Sequence, residues 1–297
     1  MTDGGYPEVA SPPMTAIDTR SFQRIADLMR AESGIVLGEG KRSLTVSRLA
    51  RRLRQLKLPD FSSYCDLLER DDSAEERREM LFSLTTNVTR FFREPHHFDM
   101  LRETVLPPLV ARARQGGRVR IWSAGCSSGE EPYSIAMTLL DVMPEAASRD
   151  VRILATDIDA RMVAAARDGR YRMTEPDQIP ANARRTYFET AQGSPDLLLV
   201  KPEVRALVHC TELNLLRDWP MRGLFDVIFC RNVVIYFDGQ TQERLWVRFA
   251  ETLSPDGHLF VGHSERVSGP AKSTFRAGGV THYVKAPSGA KQHEDTL

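Results

Sequence analysis

Apolar residues recur at helical spacing through roughly the first ninety positions, and in short continuous runs after about position 119. The chain therefore divides into an all-helical front and an α/β remainder. Residues 1–17 carry no such pattern; they are rich in Gly, Pro, Ser and Thr and are expected to be disordered. Asp18-Thr19 or Ser21 can cap a helix running to about Ser33, with Phe22, Ile25, Leu28 and Met29 on one face and Gly34 ending it. A second helix spans 41–57, with Leu44, Leu49, Leu53 and Leu56 as its stripe and Pro59 as its stop. Two more are expected at 61–69 and 74–84. Residues 18–84 thus read as a small helical domain, and 85–118 as a linking segment followed by a helix, His96 to Arg114, broken at Pro107-Pro108.

From Val119 the pattern changes to strand, turn, helix. Val119 to Trp122 is apolar, Ser123 to Gly129 is a small-residue turn, and Glu130-Glu131-Pro132 opens a periodic run through Leu140, with Pro132 suited to a first helical turn. Further strands are expected at 151–156, around 204–210, at 225–230 and at 258–262, with helices at 160–167 and 241–253 between them. A last pair of strands, near 274–275 and 281–284, would close the sheet. Phe225 to Cys230 is nearly all apolar, as a parallel strand covered on both faces must be. Around 186–203, Tyr187-Phe188, a Gly193-Ser194-Pro195-Asp196 turn and Leu197 to Val200 suggest a β-hairpin inserted into the α/β domain. The fold class is doubly wound α/β over 119–285 with a small β insert, preceded by an all-α domain; 286–297 reads as a disordered polar tail.

Composition narrows the class. Formal net charge is zero, so no global field points to nucleic acid or a membrane. Cys65, Cys126, Cys210 and Cys230 form no C-x-x-C pair, which argues against a disulfide framework or zinc site and for a reducing, cytoplasmic setting. There is neither a signal-peptide pattern nor a membrane-length apolar run. Charge is uneven locally: the second helix carries Lys41, Arg42, Arg48, Arg51, Arg52, Arg54 and Lys57. Such a face can be solvated, can neutralise phosphates, or can dock on an acidic helical bundle.

The turn at 123–129 sits where doubly wound folds hold cofactors, beyond the carboxyl ends of the strands. Gly125 and Gly129 are four apart with no third glycine, so the dinucleotide fingerprint is absent. The adjacent Glu130-Glu131 disfavours a pyrophosphate and suits a cofactor with a cationic end, such as S-adenosylmethionine, whose approach the glycines would permit. Asp157, after the second strand, is placed to accept from ribose hydroxyls, whereas Asp159 suits the N-cap of the next helix. Asn214-Leu215-Leu216 and Arg231-Asn232 also follow strands and can bracket an adenine and the amino-acid end, or simply cap loops. Adjacent His96 and His97 on a helix point about 100° apart and are not expected to converge on a metal. His263 reads as structural.

These stretches resemble one family. Thr85-Thr86-Asn87-Val88-Thr89-Arg90-Phe91-Phe92-Arg93, Ser123 through Ser134, Ala155-Thr156-Asp157-Ile158-Asp159, Asn214-Leu215-Leu216, Phe225 through Phe237 and Gly262-His263-Ser264-Glu265 are similar, in order and spacing, to the motif series of CheR chemoreceptor glutamate methyltransferases. The resemblance runs from the basic helical bundle to about Val284, with Gly125-Cys126-Ser127 where some relatives carry alanine-like residues. It implies methyl transfer from S-adenosylmethionine to glutamate carboxylates of chemoreceptors, leaving glutamyl methyl esters and S-adenosylhomocysteine. By position it implies that Asn87, Thr89, Arg93, Glu131, Asp157, Asn214, Leu215, Arg231 and Asn232 contact the cofactor, with Arg93 and Tyr236 nearest the methyl group. Arg93 could instead pair with Glu94 or Glu131, and Tyr236 could pack with Phe237. The implied partner is the receptor's cytoplasmic helical bundle; no membrane insertion is expected, and the oligomeric state is open with a monomer as the default. The insert's loop, Ala191 to Asp196, has a single glycine, which disfavours capture of a receptor C-terminal peptide. Two rivals are a nucleic-acid methyltransferase of the same fold and an inactive receptor-binding module. The sequence after the fourth strand, Arg-Asn-Val-Val-Ile-Tyr, lacks the Pro-Pro-aromatic element that holds a flipped base, and there is no Pro-Cys nucleophile. Intact Glu131, Asp157 and Arg93 disfavour the inactive module.

Overall fold

The structure, a computed structural model, describes residues 16–173 and 178–286. Apart from Ala16, Ile17 and Ala286, the two expected disordered ends lie outside the described residues. The chain separates into two compact units, 1–86 and 87–297.

In the first unit α1 is Thr19–Ser33, α2 Arg42–Gln55, α3 Phe61–Leu68 and α4 Ala74–Leu84. Local chemistry sets the ends: Asp18 accepts from the Ser21 N–H, and Gly34 turns left-handed at φ 75°. Phe22, Ile25, Met29, Leu49, Leu53, Tyr64 and Met80 form the bundle core. Two arginines of α2 serve the bundle rather than its surface. Arg48 donates to the terminal carbonyls of α4, Leu84 at 2.8 Å and Thr85 at 2.7 Å. Arg52 forks onto Glu76 at 2.9 and 3.0 Å, and the Tyr64 hydroxyl donates to the same buried carboxylate at 2.8 Å. Arg51, Arg54 and Lys57 stay exposed.

In the second unit α5, His96–Met100, passes through a π-helical turn, Leu101–Val105, into α6, Leu106–Arg114. The expected break at Pro107-Pro108 does not occur, because both prolines fall in the first turn of α6, where no N–H is needed. The α/β core follows as β1 Val119–Ala124, α7 Glu130–Val142, β2 Val151–Asp157 and α8 Ala160–Asp168. A small sheet is made of β3 Arg170–Arg172, β4 Phe188–Ala191 and β5 Ser194–Val200, with α9 Ala181–Tyr187 between the first two. It thus has one strand more than the expected hairpin, and starts about sixteen residues earlier. The chain then runs through α10 Pro202–Arg205, β6 Val208–Glu212, β7 Phe225–Cys230, α11 Gly239–Thr252, β8 Leu253–Val261, β9 Phe275–Gly279 and β10 His282–Lys285. Pro202 at a helix start turns the first part of the expected third strand into α10, so β6 begins four residues late.

The main sheet has seven strands in the order β6-β2-β1-β7-β8-β10-β9, the first five parallel and the last two antiparallel. Chain order reverses between β1 and β7, the switch point where ligands settle in this architecture. Val119 and Ile121 pack in a core with α6 and α7, while Trp122 and Ala124 pack in another with α11. Every residue of β7 is buried. Its lone polar member, Asp226, pairs with Arg112 at 2.6 Å and accepts from the Arg120 N–H at 2.8 Å. All four cysteines are buried and free.

Candidate active site

The residues singled out from the sequence gather at the carboxyl ends of β1, β2, β6 and β7, with the segment 87–95. That segment is fixed by its phenylalanines: Phe91 meets Tyr171 edge-on at 4.8 Å and Phe188 at 5.4 Å, and Phe92 meets Phe98 at 5.3 Å. Among the described residues, seven non-glycines have positive φ; Phe92, Glu94, Ser127 and Asn232 are four of them and all belong here. A left-handed phenylalanine is costly, and such strain collects where surrounding structure dictates geometry for a purpose.

Asp157 is buried at the end of β2. Its two oxygens accept from the Ser127 N–H at 2.8 Å and the Asp159 N–H at 2.9 Å, tying the glycine turn to the β2–α8 loop. Burial raises its carboxyl pKa, and these backbone N–H groups oppose the rise. Asp159 is the N-cap of α8: it accepts from the Arg161 N–H at 2.9 Å and from the Asn87 amide at 3.2 Å. Asn87 is held from the other side by the Ser127 hydroxyl, which donates to its carbonyl at 3.0 Å. The glycines do internal work. A side chain on Gly125 would strike a Val233 methyl at 2.3 Å, and one on Gly129 would strike the Tyr171 hydroxyl at 2.7 Å and Ala166 at 2.9 Å. Both glycines thus leave room for neighbouring side chains.

Arg231 is the hub of the site. Buried after β7, it pairs with Glu131 at 3.0 Å and with Glu94 at 3.2 Å, donates to the Arg93 carbonyl, and lies over the Phe98 ring at 5.7 Å. Glu131 also accepts from the Ser123 hydroxyl at 2.7 Å. Arg231 thus meets the charge of Glu131, while Glu130 accepts from the Ser128 hydroxyl at 2.7 Å. Burial alone would raise the Glu94 carboxyl; the Arg231 charge and hydrogen bonds from His263 and Arg231 outweigh it and hold the pKa at about 2. Burial pushes Glu131 upward against the pull of the same guanidinium. Arg93, for which a pair with Glu94 or Glu131 was the alternative, has no ion pair among the described residues; one arm donates to the Val88 carbonyl at 3.0 Å.

Glu94, His96 and His97 do converge, their ligating atoms lying within 4.8 Å of one another. The left-handed turn at Glu94 brings its carboxylate under the helix start, which the angle between the two histidines alone does not reveal. Arg231 already pairs with that carboxylate, and His97 is buried, its pKa lowered to about 3 first by burial and then by Arg231. His263 is exposed and sits 3.1 Å from Glu94.

Asn214 uses its carbonyl oxygen to accept from the Leu216 N–H at 2.9 Å, and Leu215 is buried. Tyr236 ends a short 3₁₀ turn, Val234–Tyr236, and is half-buried, while Phe237 packs against the α11 core. Thr89 is half-buried in the 87–95 segment. Sequence reading missed Glu265, whose carboxylate accepts from the N–H groups of Asn232, Val233, Val234, Ile235 and Gly262. The only sequence signal was its place in Gly262-His263-Ser264-Glu265, where a glutamate reads as surface.

The Glu94–Arg231 pair gives a pH signature. Glu94 sits below its usual value, so it stabilises the fold above pH of about 4.5, and this contribution disappears as pH falls towards about 2. Glu94→Gln should lower stability at neutral pH by on the order of 2 kcal/mol. The gap to wild type should close between pH of about 4.5 and 2 in urea melts, and a gap independent of pH would contradict the pairing.

A doubly wound sheet with an acid at the end of β2, a second acid in the first helix and polar groups at the switch point defines a class, the S-adenosylmethionine-dependent methyltransferases. Each Asp157 oxygen accepts from one backbone N–H and keeps a further lone pair that a ribose hydroxyl would require. Residues 87–284 match the CheR methyltransferase SAM-binding domain, and residues 20–85 match the CheR methyltransferase all-alpha domain. A probable chemotaxis protein methyltransferase of Rhizobium etli is 51% identical over 257 residues, covering 86% of this chain and 96% of that one. The chemotaxis protein methyltransferase of Escherichia coli is 43% identical, covering 85% and 86%, and that of Salmonella typhimurium is 42% identical, covering 91% of each. The chain belongs to the CheR methyltransferase family and is an S-adenosylmethionine-dependent methyltransferase of chemotaxis. No helix among the described residues is long and apolar enough to cross a membrane.

Proposed function

We propose that the chain, as a cytoplasmic monomer, esterifies glutamate side chains on the cytoplasmic helical bundle of chemoreceptors. What supports this is the set of acceptors at the strand ends together with Arg93, a guanidinium without an ion pair among the described residues, in a reaction that needs no general base. A glutamate is already ionised at neutral pH, its reference pKa being about 4.3. S-adenosylmethionine, when bound, supplies an electrophilic methyl group on a sulfonium. A carboxylate accepting that methyl group would need no proton removed, so the chain would be asked for no base. The protein's part is alignment and exclusion of water. Asp157, Glu131, Asn87, Thr89, Asn214, Leu215 and Asn232 would hold the cofactor. Arg231 would act mainly by fixing Glu131, its guanidinium being occupied by two carboxylates. Arg93, free of ion pairs among the described residues, would orient a carboxylate through its open donors, and Tyr236 is proposed to lie near the methyl group with it.

The site residues predict separable effects. Arg93→Ala should cut turnover by on the order of 10²-fold, the scale of a misaligned attack, and change S-adenosylhomocysteine affinity far less. Equal losses in both would remove its orienting role. Docking is assigned to residues 18–84, through the exposed Arg51 and Arg54 of α2. The double variant Arg51→Glu/Arg54→Glu should weaken receptor methylation by roughly tenfold or more and leave cofactor affinity intact. Arg52 does not belong in that set, because it neutralises the buried Glu76. Unchanged methylation by the double variant would exclude α2 as the docking face. Recruitment is proposed to be independent of a receptor C-terminal tether, and calorimetric binding of a receptor C-terminal pentapeptide would overturn that part alone.

A further inference from the structure

We infer that Glu265 is the positioning residue that shapes the β7–α11 loop into a working wall of the active site. This rests on the methyltransferase reading above and assigns a role to a residue outside the set proposed to hold the cofactor. Glu265 is 2% exposed. Its Oε1 accepts from the N–H groups of Val233 at 2.9 Å, Val234 at 2.9 Å and Ile235 at 3.3 Å. Its Oε2 accepts from the N–H groups of Asn232 at 2.8 Å and Gly262 at 2.6 Å. Among the described residues it has no ion-pair partner, so these peptide dipoles alone compensate a buried charge. A carboxylate is the side chain that suits the cluster, because both of its oxygens accept and neither donates. An ordinary loop would send those N–H groups to water or to carbonyls.

The consequence reaches the chemistry through three contacts. Asn232 is held left-handed at φ 59°, a conformation asparagine tolerates but does not need. Val233 is pressed against Gly125, where an added side chain would lie 2.3 Å from its methyl, so the loop also abuts the glycine turn. The 3₁₀ turn that ends in Tyr236 begins at Val234, whose N–H is among those bound. Gly262 completes the cradle. A side chain there would meet the Asn232 amide nitrogen at 2.6 Å, its backbone nitrogen at 2.7 Å and Glu265 Oε2 at 2.8 Å. The segment from Gly262 to Glu265 is thus a template on which the loop carrying Asn232 and Tyr236 is formed.

Glu265→Gln tests this by keeping the shape and replacing one acceptor by an NH₂ that faces an N–H. The expected result is a folded protein whose kcat for receptor methylation falls by about 10–100-fold, the scale of a misplaced catalytic wall. S-adenosylhomocysteine affinity should fall by roughly tenfold through Asn232, with receptor KM unchanged because docking is proposed for α2. A role in global stability alone would lower the active fraction and leave Kd and kcat per folded molecule intact. Glu265→Asp, which keeps the charge, should restore part of the lost kcat. Gly262→Ala, which pushes into the same cradle without removing the carboxylate, should reproduce the kcat loss. If Glu265→Gln is unfolded, the Gly262→Ala and Glu265→Asp results decide. A folded Glu265→Gln or Gly262→Ala with kcat within threefold of wild type overturns the inference. Failure of the wild-type chain to methylate receptor would instead overturn the underlying reading.

Discussion

Arg231→Ala is expected to destabilise the second unit by about 3–5 kcal/mol, the cost of stranding buried charge when one partner of a buried pair is removed. Two carboxylates depend on this guanidinium, Glu94 and Glu131, and so does the Arg93 carbonyl. Arg231→Lys should rescue only part of the loss, because an ammonium cannot fork to groups lying in different directions. Urea denaturation of the three proteins reads this out, with S-adenosylhomocysteine calorimetry on whatever remains folded. The prediction for binding is also severe: Glu131 would lose its partner, and the 87–95 segment would lose its tie to β7. An Arg231→Ala protein with wild-type midpoint and affinity would show that the pairing is incidental.

The second large effect is at Asp157. Asp157→Ala should weaken cofactor binding by roughly 1–3 kcal/mol through lost charge-assisted hydrogen bonds. The geometry adds an expectation. Both oxygens already accept from backbone N–H groups, Ser127 on one side and Asp159 on the other. Asparagine has one acceptor and would set an NH₂ against an N–H, so Asp157→Asn should be nearly as damaging as Asp157→Ala despite its matching shape. Titration of each variant with S-adenosylhomocysteine measures this, and near-wild-type affinity for Asp157→Asn would leave the charge and the second acceptor without a role.

Much of this architecture was legible because it depends on local signals. Asp18 bounds α1 through its carboxylate and Gly34 through its left-handed backbone, and β7 is buried throughout as its nearly all-apolar run suggests. Several of the misreadings arise because a side chain's partner lies far along the chain. Arg48 and Arg52 look like members of a solvated basic face, yet one caps the end of α4 and the other neutralises Glu76. Gly125 and Gly129 look like room for a ligand, and that Val233 and Tyr171 also need them bare could not be read from the sequence. β3 is three residues with arginines at both ends, too short for alternation to register. Within the site, the acids and asparagines could be named from their place after strands. That Arg231 gathers the acids, and that Glu265 gathers five N–H groups, follows only from the folded chain.

The central claim, methyl transfer to a receptor carboxylate, is tested most directly by incubating the purified chain with methyl-labelled S-adenosylmethionine and receptor-containing membranes. The account predicts label on the receptor that mild base releases as methanol, as an ester must, with the labelled residues mapping to glutamates. Label that survives base, or none transferred while S-adenosylhomocysteine still binds, would contradict it.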